Sequence, residues 1–387
     1  MAIPLKYNIG NLMSRKGSSA MTVLGIGVVI AVMVAMMALY NGVQQALVSS
    51  GSKENLIILR EGAQAESTSW VTRDKVRILR DLPGIAKASD GQPLVSPELV
   101  IIFKLPRRDN PTGSNVNVRG VTPKALELRP FMKLVEGRMF RSGVNEVIVS
   151  QRMRERFVDL DIGDTFRFGT QNWSVVGVFD AKGTSFDSEI WADVETLGLA
   201  QKRPEYSSVL TRPESAGAFK TIADAIQSDP RLKLQSKTEY KYYDEQTTGL
   251  LGIRILVTIV AFFMVLGATL GAMNTMFSAV ASRKRELATM RALGFKRRDV
   301  LLSVVVEAIV LSGLAGIAGV LMALPVNGIA TGTANFITFS EVAFNFTISP
   351  EVAVFAVVLA IVAGVIGGLL PAISAARLPI TRALREI

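Results

Sequence analysis

The sequence ASRKRELATMRALGFKRRD, residues 281–299, separates two long apolar stretches of this chain. The stretch before it lies within Ile255 to Ser282, and the stretch after it runs from about Val300 to Leu324. Each is long enough for a helix that crosses a bilayer, which needs about 20 apolar residues. The charged segment between them is therefore predicted to be a short turn at one membrane surface.

Two further stretches qualify as membrane spans, Ala20 to Tyr40 and Val352 to about Leu370. The apolar core of the first is too long for the hydrophobic region of a signal peptide, so we expect it to be retained as a span. The whole chain of 387 residues is 49% hydrophobic and carries a net charge of +10. This composition is typical of a membrane protein with an attached soluble domain.

The distribution of basic residues predicts the orientation of the four spans. The segments before span one, between spans two and three, and after span four together hold 13 basic and 3 acidic residues. Segment 46–249 is nearly balanced, with 29 basic and 27 acidic residues. Because basic segments stay in the cytoplasm, both termini and the loop 283–299 are predicted to be cytoplasmic. The excess positive charge then indicates topology and contact with membrane lipids, and no nucleic-acid partner is expected.

The sequence contains no cysteine and no histidine. This excludes disulfides, thiolate or imidazole metal sites, and Ser-His-Asp or Cys-His catalysis, while a carboxylate-only site or a Ser-Lys pair is left open. The phosphate-binding motif GxxxxGK[ST] does not occur either. We therefore predict that the chain is not an enzyme and binds no metal or cofactor, and that any ATP and Mg²⁺ are held by a partner subunit.

The segment between spans one and two is predicted to be an extracytoplasmic α+β domain with a β-rich insertion at about 107–206. Six apolar, β-branched runs predict strands, and three segments predict helices. The strands are Leu56–Leu59, Leu99–Phe103, Val116–Val121, Val147–Ser150, Ser174–Phe179 and Ser208–Thr211; the helices are Arg73–Leu82, Gln151–Val158 and Glu214–Ser228. The full predicted order is a cytoplasmic amphipathic helix 1–18, span one and stalk 19–45, the external domain 46–245, span two 250–282, a cytoplasmic coupling helix 283–299, span three 300–325, a short external loop 326–350, span four 351–372 and a cytoplasmic tail 373–387.

The N-terminal segment has apolar residues at helical spacing, namely Leu5, Ile9, Leu12 and Met13. This pattern favours an amphipathic helix that lies in the membrane interface. The alternative is that these residues simply begin span one.

The charged loop 281–299 has an apolar stripe of its own. Leu287, Met290 and Leu293 recur at helical spacing, and Gly294 is a good helix stop. The pattern predicts a short helix that either docks a cytoplasmic partner or acts as a charged turn against lipid headgroups.

Span three contains an acidic residue, Glu307, about two helical turns from its start. An ionised group at such a depth is costly and is often functional. We interpret Glu307 as a structural residue that reaches the interface or pairs with Arg285 or Arg298, with a proton relay as the alternative. Small residues at helical spacing also predict close helix packing: Gly267 and Gly271; Ser312, Gly316 and Gly319; Ala363 and Gly367; Gly364 and Gly368.

Three segments resemble the MacB/FtsX-like permease subunits of ABC transporters. They are NLMSRKGSSAMTVLGIGVVIAV at the N-terminus, ASRKRELATMRALGFKRRDVLLSVVVEAIVLSGLAGIAGV from Ala281 to Val320, and LPAISAARLPITRALREI at the C-terminus. The layout of one span, a large external domain and three more spans is also similar. Within the domain, VRGVTPKALELRPFMKLVEGRMF and VNEVIVSQ resemble the MacB-like periplasmic core of the family.

The resemblance implies a multi-pass protein of the inner membrane that works with a separate cytoplasmic ATPase. It also implies a homodimer or a heterodimer with a paralogous permease, and possible association with a periplasmic adaptor protein. By position, seven residues match the coupling helix that contacts the ATPase in this family: Glu286, Met290, Arg291, Ala292, Leu293, Gly294 and Phe295.

The resemblance further implies mechanotransmission, in which ATP hydrolysis by the partner moves the external domain. We expect this motion to export or extract a lipid, lipoprotein, peptide or drug. The alternative function is transmembrane signalling without transport, in which the domain controls a periplasmic partner such as a cell-wall hydrolase.

Overall fold

A computed structural model describes residues 16–335 and 337–379, and the chain forms two compact units. The first is the membrane unit, and the second, which we call the external domain, comprises residues 42–251 and 330–345. In the described residues, four helices are long and apolar enough to cross a membrane, which confirms the predicted spans. The predicted amphipathic helix lies mostly outside the described residues, as does the end of the predicted tail.

Helices and strands are interspersed along the external domain. The helices are α1 (Lys16–Val48), α2 (Arg73–Arg80), α3 (Lys124–Leu128), α4 (Gln151–Arg156), α5 (Val194–Ala200), α6 (Ala216–Ser228), α7 (Glu239–Gln246), α8 (Leu251–Ala281), α9 (Lys284–Ala292), α10 (Arg297–Ala323) and α11 (Pro350–Ala376). The strands are β1 (Leu56–Arg60), β2 (Val95–Leu105), β3 (Ser114–Val121), β4 (Lys133–Gly137), β5 (Glu146–Ser150), β6 (Thr165–Phe168), β7 (Gln171–Asp180), β8 (Glu189–Asp193), β9 (Ser208–Thr211), β10 (Leu234–Thr238), β11 (Ala330–Ala334) and β12 (Glu341–Asn345).

Glycines allow the helices of the membrane unit to pack closely. A Cβ atom added to Gly319 of α10 would lie 2.7 Å from the carbonyl oxygen of Gly27 in α1. One added to Gly364 of α11 would lie 2.3 Å from the Cβ of Ser312 in α10. At both positions a side chain would push the backbones apart, as is typical of small-residue contacts in membranes. The predicted stripes of small residues on α10 and α11 are thus packed in the structure.

The glycines of α8 differ from those of α10 and α11. A Cβ atom added to Gly267 or Gly271 would meet no other atom within 4 Å. In the most apolar part of this span 11% of the residues are buried, against 39% to 50% in the other three spans. The spacing of Gly267 and Gly271 in the sequence did not distinguish them from the closely packed glycines of α10 and α11.

A ten-stranded mixed sheet forms the centre of the external domain, in the order β10-β1-β9-β2-β3-β8-β5-β7-β4, with β6 paired to β7. The pairs β3–β8 and β5–β7 are parallel, and the other pairs are antiparallel. All six predicted strands and all three predicted helices are confirmed. Four strands of this sheet were not predicted: β4, β6, β8 and β10.

Apolar side chains cover both faces of this sheet. One face packs with residues of α2, α4 and α6, including Leu79, Met153 and Ile222. The other packs around Trp191, Phe186 and the two tyrosines of α7, Tyr242 and Tyr243. The sheet therefore has a hydrophobic core on each side, which is typical of mixed α/β domains.

The chain between α10 and α11 forms an antiparallel hairpin, β11–β12, which groups with the external domain. Val342, Ala343 and Phe344 are buried, and Asn335 donates a hydrogen bond to Gln246 over 3.1 Å. This hairpin lies in the range 326–350, for which the sequence indicated a short external loop.

Candidate ATPase-contact segment and buried charge network

Helix α9 is the predicted coupling helix, and part of its apolar stripe faces inward. Leu287 is only 2% exposed and packs with Val300 and Val304 at the start of α10. Met290 is partly buried against the same cluster. These contacts hold α9 firmly on the membrane unit.

The C-terminal end of α9 presents a leucine to solvent. Leu293, the residue after the helix, is 76% exposed although its backbone N–H still donates to the carbonyl of Thr289. Gly294 follows with a φ of +101°, a conformation that glycine adopts without strain. The predicted helix stop at Gly294 is therefore confirmed, and it leaves Leu293 at the tip of the turn.

The seven residues matched to the family's ATPase contact all lie in α9 and the turn after it. Four are exposed (Glu286, Ala292, Leu293 and Gly294), and three are partly buried (Met290, Arg291 and Phe295). Arg291 donates to the carbonyl oxygens of Ala376 and Leu378, over 3.2 Å and 3.0 Å. Its side chain thus binds the end of α11, and the ATPase contact of the whole segment remains a prediction.

Glu307 forms a buried ion pair with Arg283. The distance from Arg283 Nη1 to Glu307 Oε2 is 2.8 Å, and the two residues are 8% and 4% exposed. The predicted pairing with Arg285 or Arg298 is therefore wrong. Arg283 immediately precedes α9, where the chain turns back toward the bundle, and this turn brings its side chain to Glu307.

A network of buried charges crosses the centre of the external domain. Arg119 of β3 is 2% exposed and bonds to three carboxylates, those of Glu66, Glu98 and Glu189, over 2.7 to 2.9 Å. A buried guanidinium needs such partners, because an unpaired charge in the interior costs several kcal/mol. The bonds link β2, β3 and β8 with the turn after β1.

Arg129 extends this network to the start of α7. Its Nη1 donates to Glu98 Oε1 over 2.6 Å, and its Nε donates to Glu239 Oε1 over 3.1 Å. All three residues are 1% exposed or less. We call the six residues of this cluster the buried charge network: Glu66, Glu98, Arg119, Arg129, Glu189 and Glu239.

The pKa values of two carboxylates of the network, Glu66 and Glu239, are displaced in opposite directions. Burial raises the pKa of Glu239 above its ordinary value, although the charge of Arg129 opposes this effect. Burial acts on Glu66 in the same direction, but the charge and hydrogen bonds of Arg119 outweigh it and lower the pKa of Glu66. Glu239 therefore takes up a proton at a higher pH than Glu66.

A second ionic cluster joins the hairpin to α4 and to the segment after β2. Glu341 of β12, whose side chain is 6% exposed, forms ion pairs with Arg156 and with Arg107, the latter over 3.3 Å. The described residues contain no group of three or more acidic side chains placed to hold a metal ion. The four glutamates of the buried charge network and Glu341 are instead bound by arginines.

Sequence analysis did not find the buried charge network. Its members are far apart along the chain, and the pairs of Arg119 span 21 to 70 residues. The available signal was a charge inside an apolar run, such as Glu98 in VSPELVII or Arg119 in NVRGV. That signal alone does not distinguish an inward-facing charge from an exposed one.

Comparison with known proteins matches both units to one family. The MacB-like periplasmic core domain matches residues 19–229, and the FtsX-like permease C-terminal region matches residues 258–380. The periplasmic region of MacB from Actinobacillus actinomycetemcomitans covers 50% of this chain and 92% of its own, with a TM-score of 0.39 and 13% identity.

Similar full-length proteins are named as exporters. The pyoverdine export ATP-binding/permease protein PvdT of Pseudomonas fluorescens is 28% identical over 95% of this chain, and the macrolide export ATP-binding/permease protein MacB of Mannheimia succiniciproducens is 25% identical over 98%. This chain spans 57% and 60% of the length of these two relatives. Because one family model covers more than half of the chain and a second covers most of the rest, the chain belongs to the MacB/FtsX-like permeases of ABC transporters.

Proposed function

We propose that this chain is a permease subunit that couples ATP hydrolysis by a separate cytoplasmic ATPase to movement of its external domain. The movement serves the export or extraction of a lipid, lipoprotein, peptide or drug. Hydrolysis of ATP takes place on the partner, and this chain contributes no catalytic residue. It acts as a homodimer or as a heterodimer with a paralogous permease, and a periplasmic adaptor completes the route.

The exposed tip of α9 is the observation that carries this proposal. Leu293 is 76% exposed beside a helix whose other leucine, Leu287, is buried in the membrane unit. A large apolar side chain held out by a rigid support is a suitable anchor for a protein partner. Arg291 adds to the rigidity through its bonds to the end of α11.

The charge distribution supports a cytoplasmic location for this tip. Loop 283–299 carries seven of the basic residues of the chain, and such loops remain on the cytoplasmic side. The ATPase contact and the external domain then lie on opposite sides of the inner membrane. The similarity to a pyoverdine exporter and a macrolide exporter supports export over signalling.

Replacement of Leu293 by aspartate tests the proposed contact. We expect Leu293→Asp to abolish co-purification of the ATPase in mild detergent, because the aspartate removes the apolar anchor and adds a charge. The matched control is Leu199→Asp, since Leu199 of α5 lies in the external domain and is 79% exposed. Mass spectrometry of the purified samples identifies the partners.

Normal recovery of the ATPase with Leu293→Asp would refute the contact. Recovery of a cell-wall hydrolase with the wild-type chain, in place of an adaptor or lipid, would identify a signal transmitter instead of an exporter.

A further inference from the structure

A single buried carboxylate holds together the two chain segments by which the external domain continues into spans one and two. Glu239 is the first residue of α7 and is 0% exposed. Its Oε2 accepts hydrogen bonds from the backbone N–H of Ser52 over 3.1 Å and from Asn55 Nδ2 over 2.9 Å. Its Oε1 accepts from Arg129 Nε over 3.1 Å. Glu239 therefore binds the segment after α1 with one oxygen and Arg129 of the buried charge network with the other.

Backbone contacts reinforce this junction. The N–H of Glu239 donates to the carbonyl of Asn55 over 2.9 Å, and the N–H of Tyr240 donates to the carbonyl of Ser52 over 3.1 Å. A Cβ atom on Gly51 would lie 2.5 Å from the Glu239 carbonyl oxygen and from Tyr240 Cα. The two segments are thus in direct backbone contact, and sliding one along the other requires these bonds to break.

The segment after α1 is also attached to the sheet side of the domain. Ser50 Oγ is hydrogen-bonded to Ser185 Oγ over 2.8 Å and accepts the N–H of Ser185 over 2.8 Å. Ser185 begins a short helical turn that ends directly before β8, the strand of Glu189. The segment after α1 is therefore bound to the turn before β8 on one side and to α7 on the other.

Helical residues continue from Glu239 to Ala281, a stretch of 43 residues. A 3-10 turn, Thr247–Leu250, joins α7 to α8, and such a helical connection transmits displacement better than a flexible linker does. A displacement of α8 would therefore reach Glu239 at the first turn of α7.

We propose that Glu239 is the positioning residue that makes the two segments and the sheet move as one body during the ATPase cycle. This inference rests on the proposed function and adds the place at which motion enters the external domain. A carboxylate suits the role because three donors converge on it and two acceptor oxygens accept them all. A glutamine would direct its amide N–H groups at one of these donors and lose that bond.

The test uses the full chain in complex with the ATPase that co-purifies with it, reconstituted in lipid nanodiscs. Val144, which is 44% exposed in the external domain, is replaced by cysteine and carries an environment-sensitive fluorophore. The chain has no native cysteine, so only this position is labelled. We compare the ATP-dependent change in fluorescence in the wild-type background, in Glu239→Gln, in Glu239→Asp and in the control Glu54→Gln, whose side chain is 77% exposed.

We expect Glu239→Gln to bind the ATPase and hydrolyse ATP but to lose most of the fluorescence change. Glu239→Asp, which keeps the charge and both acceptor oxygens, should recover part of it, and Glu54→Gln should match the wild type. Full amplitude in Glu239→Gln would overturn the inference. Absence of any ATP-dependent change in the wild type would instead refute the proposed function, so the two failures are distinguishable.

Hydrogen exchange on the wild-type complex covers the case in which Glu239→Gln does not fold. We expect the amides of Ser52 and Tyr240 to stay protected with and without ATP, because their hydrogen bonds to the other segment remain formed throughout the ATPase cycle. Rapid exchange at these two amides on addition of ATP would mean that the segments separate, and it would overturn the inference.

Discussion

The interiors of the membrane unit and of the external domain are held together in different ways. In the membrane unit, α10 meets α1 and α11 through glycine and serine, as at Gly364 against Ser312. In the external domain, Arg119 binds three buried carboxylates at the centre of the sheet. The first arrangement depends on missing side-chain volume and the second on balanced charge, so different substitutions should disrupt the two units.

The largest effect is expected from the loss of charge balance in the domain. Arg119→Met would leave Glu66, Glu98 and Glu189 without their common partner. Removal of one member of a buried ion pair costs about 3–5 kcal/mol, and here three carboxylates lose a partner at once. We expect the domain of this variant to unfold or to become sensitive to protease in the full chain.

The control for this experiment is an exposed pair on α2. Arg77→Met removes the partner of Asp74, whose side chain is 81% exposed, and such pairs contribute about 0–1 kcal/mol. If Arg119→Met were as resistant to protease as Arg77→Met, the domain would not depend on its buried charge network.

The second prediction concerns a single added methyl group in the membrane unit. Gly364→Ala places a Cβ about 2.3 Å from Ser312 Cβ, and overpacking of this kind costs about 1–3 kcal/mol. Gly271→Ala adds the same group where nothing lies within 4 Å, so it should be neutral or slightly stabilising because alanine favours helix. Far-UV circular dichroism of the purified chain on heating measures both. Equal melting temperatures would contradict the packing described for α10 and α11.

The sequence predicted those parts of the fold that local patterns determine. Runs such as Leu99–Phe103 and spans such as Val352 to Leu370 are apolar over their whole length, and the structure confirms them as strand and helix. Strand β4 was missed because it has only two apolar residues, which are adjacent, and all five of its residues are exposed, so that it has no buried face. Strand β10 was missed because its sequence, LQSKT, is mostly polar.

The smallest predicted effect is a pH dependence at an ion pair outside the network. The hydrogen bonds of Arg138 lower the pKa of Glu146 to about 2, from an ordinary value of 4.5. A lowered pKa means that this pair stabilises the fold fully above about pH 4.5 and loses its contribution as the pH falls toward 2. We expect a contribution of about 1 kcal/mol, in the range of partly exposed pairs.

Thermal melting of the wild-type chain and of Glu146→Gln across this pH range measures the contribution. The difference in stability between the two should be largest at pH 5 and above, and it should shrink as the solution is acidified. A difference that grows on acidification would show that the sign of the pKa change is wrong.

The functional residues were less predictable than the fold. The position of Gly294 identified the end of α9, but the sequence could not tell that Leu287 faces inward while Leu293 faces solvent. The partner of Glu307 depends on the turn before α9, which brings Arg283 rather than Arg285 to the acid. The role of Glu239 requires Ser52 and Asn55 beside it, and these contacts span 184 to 187 residues. Contacts between residues so far apart in the sequence are set by tertiary structure and leave no local sequence pattern.

Sidedness of labelling tests the transmission account most directly. Two variants, Leu293→Cys at the tip of α9 and Val144→Cys in the external domain, are labelled in intact cells with a maleimide that does not cross the inner membrane. The account predicts that the maleimide modifies the cysteine at 144 directly and the cysteine at 293 only after the membrane is permeabilised. Modification of both cysteines in intact cells, or of neither, would place the two positions on one side and contradict it.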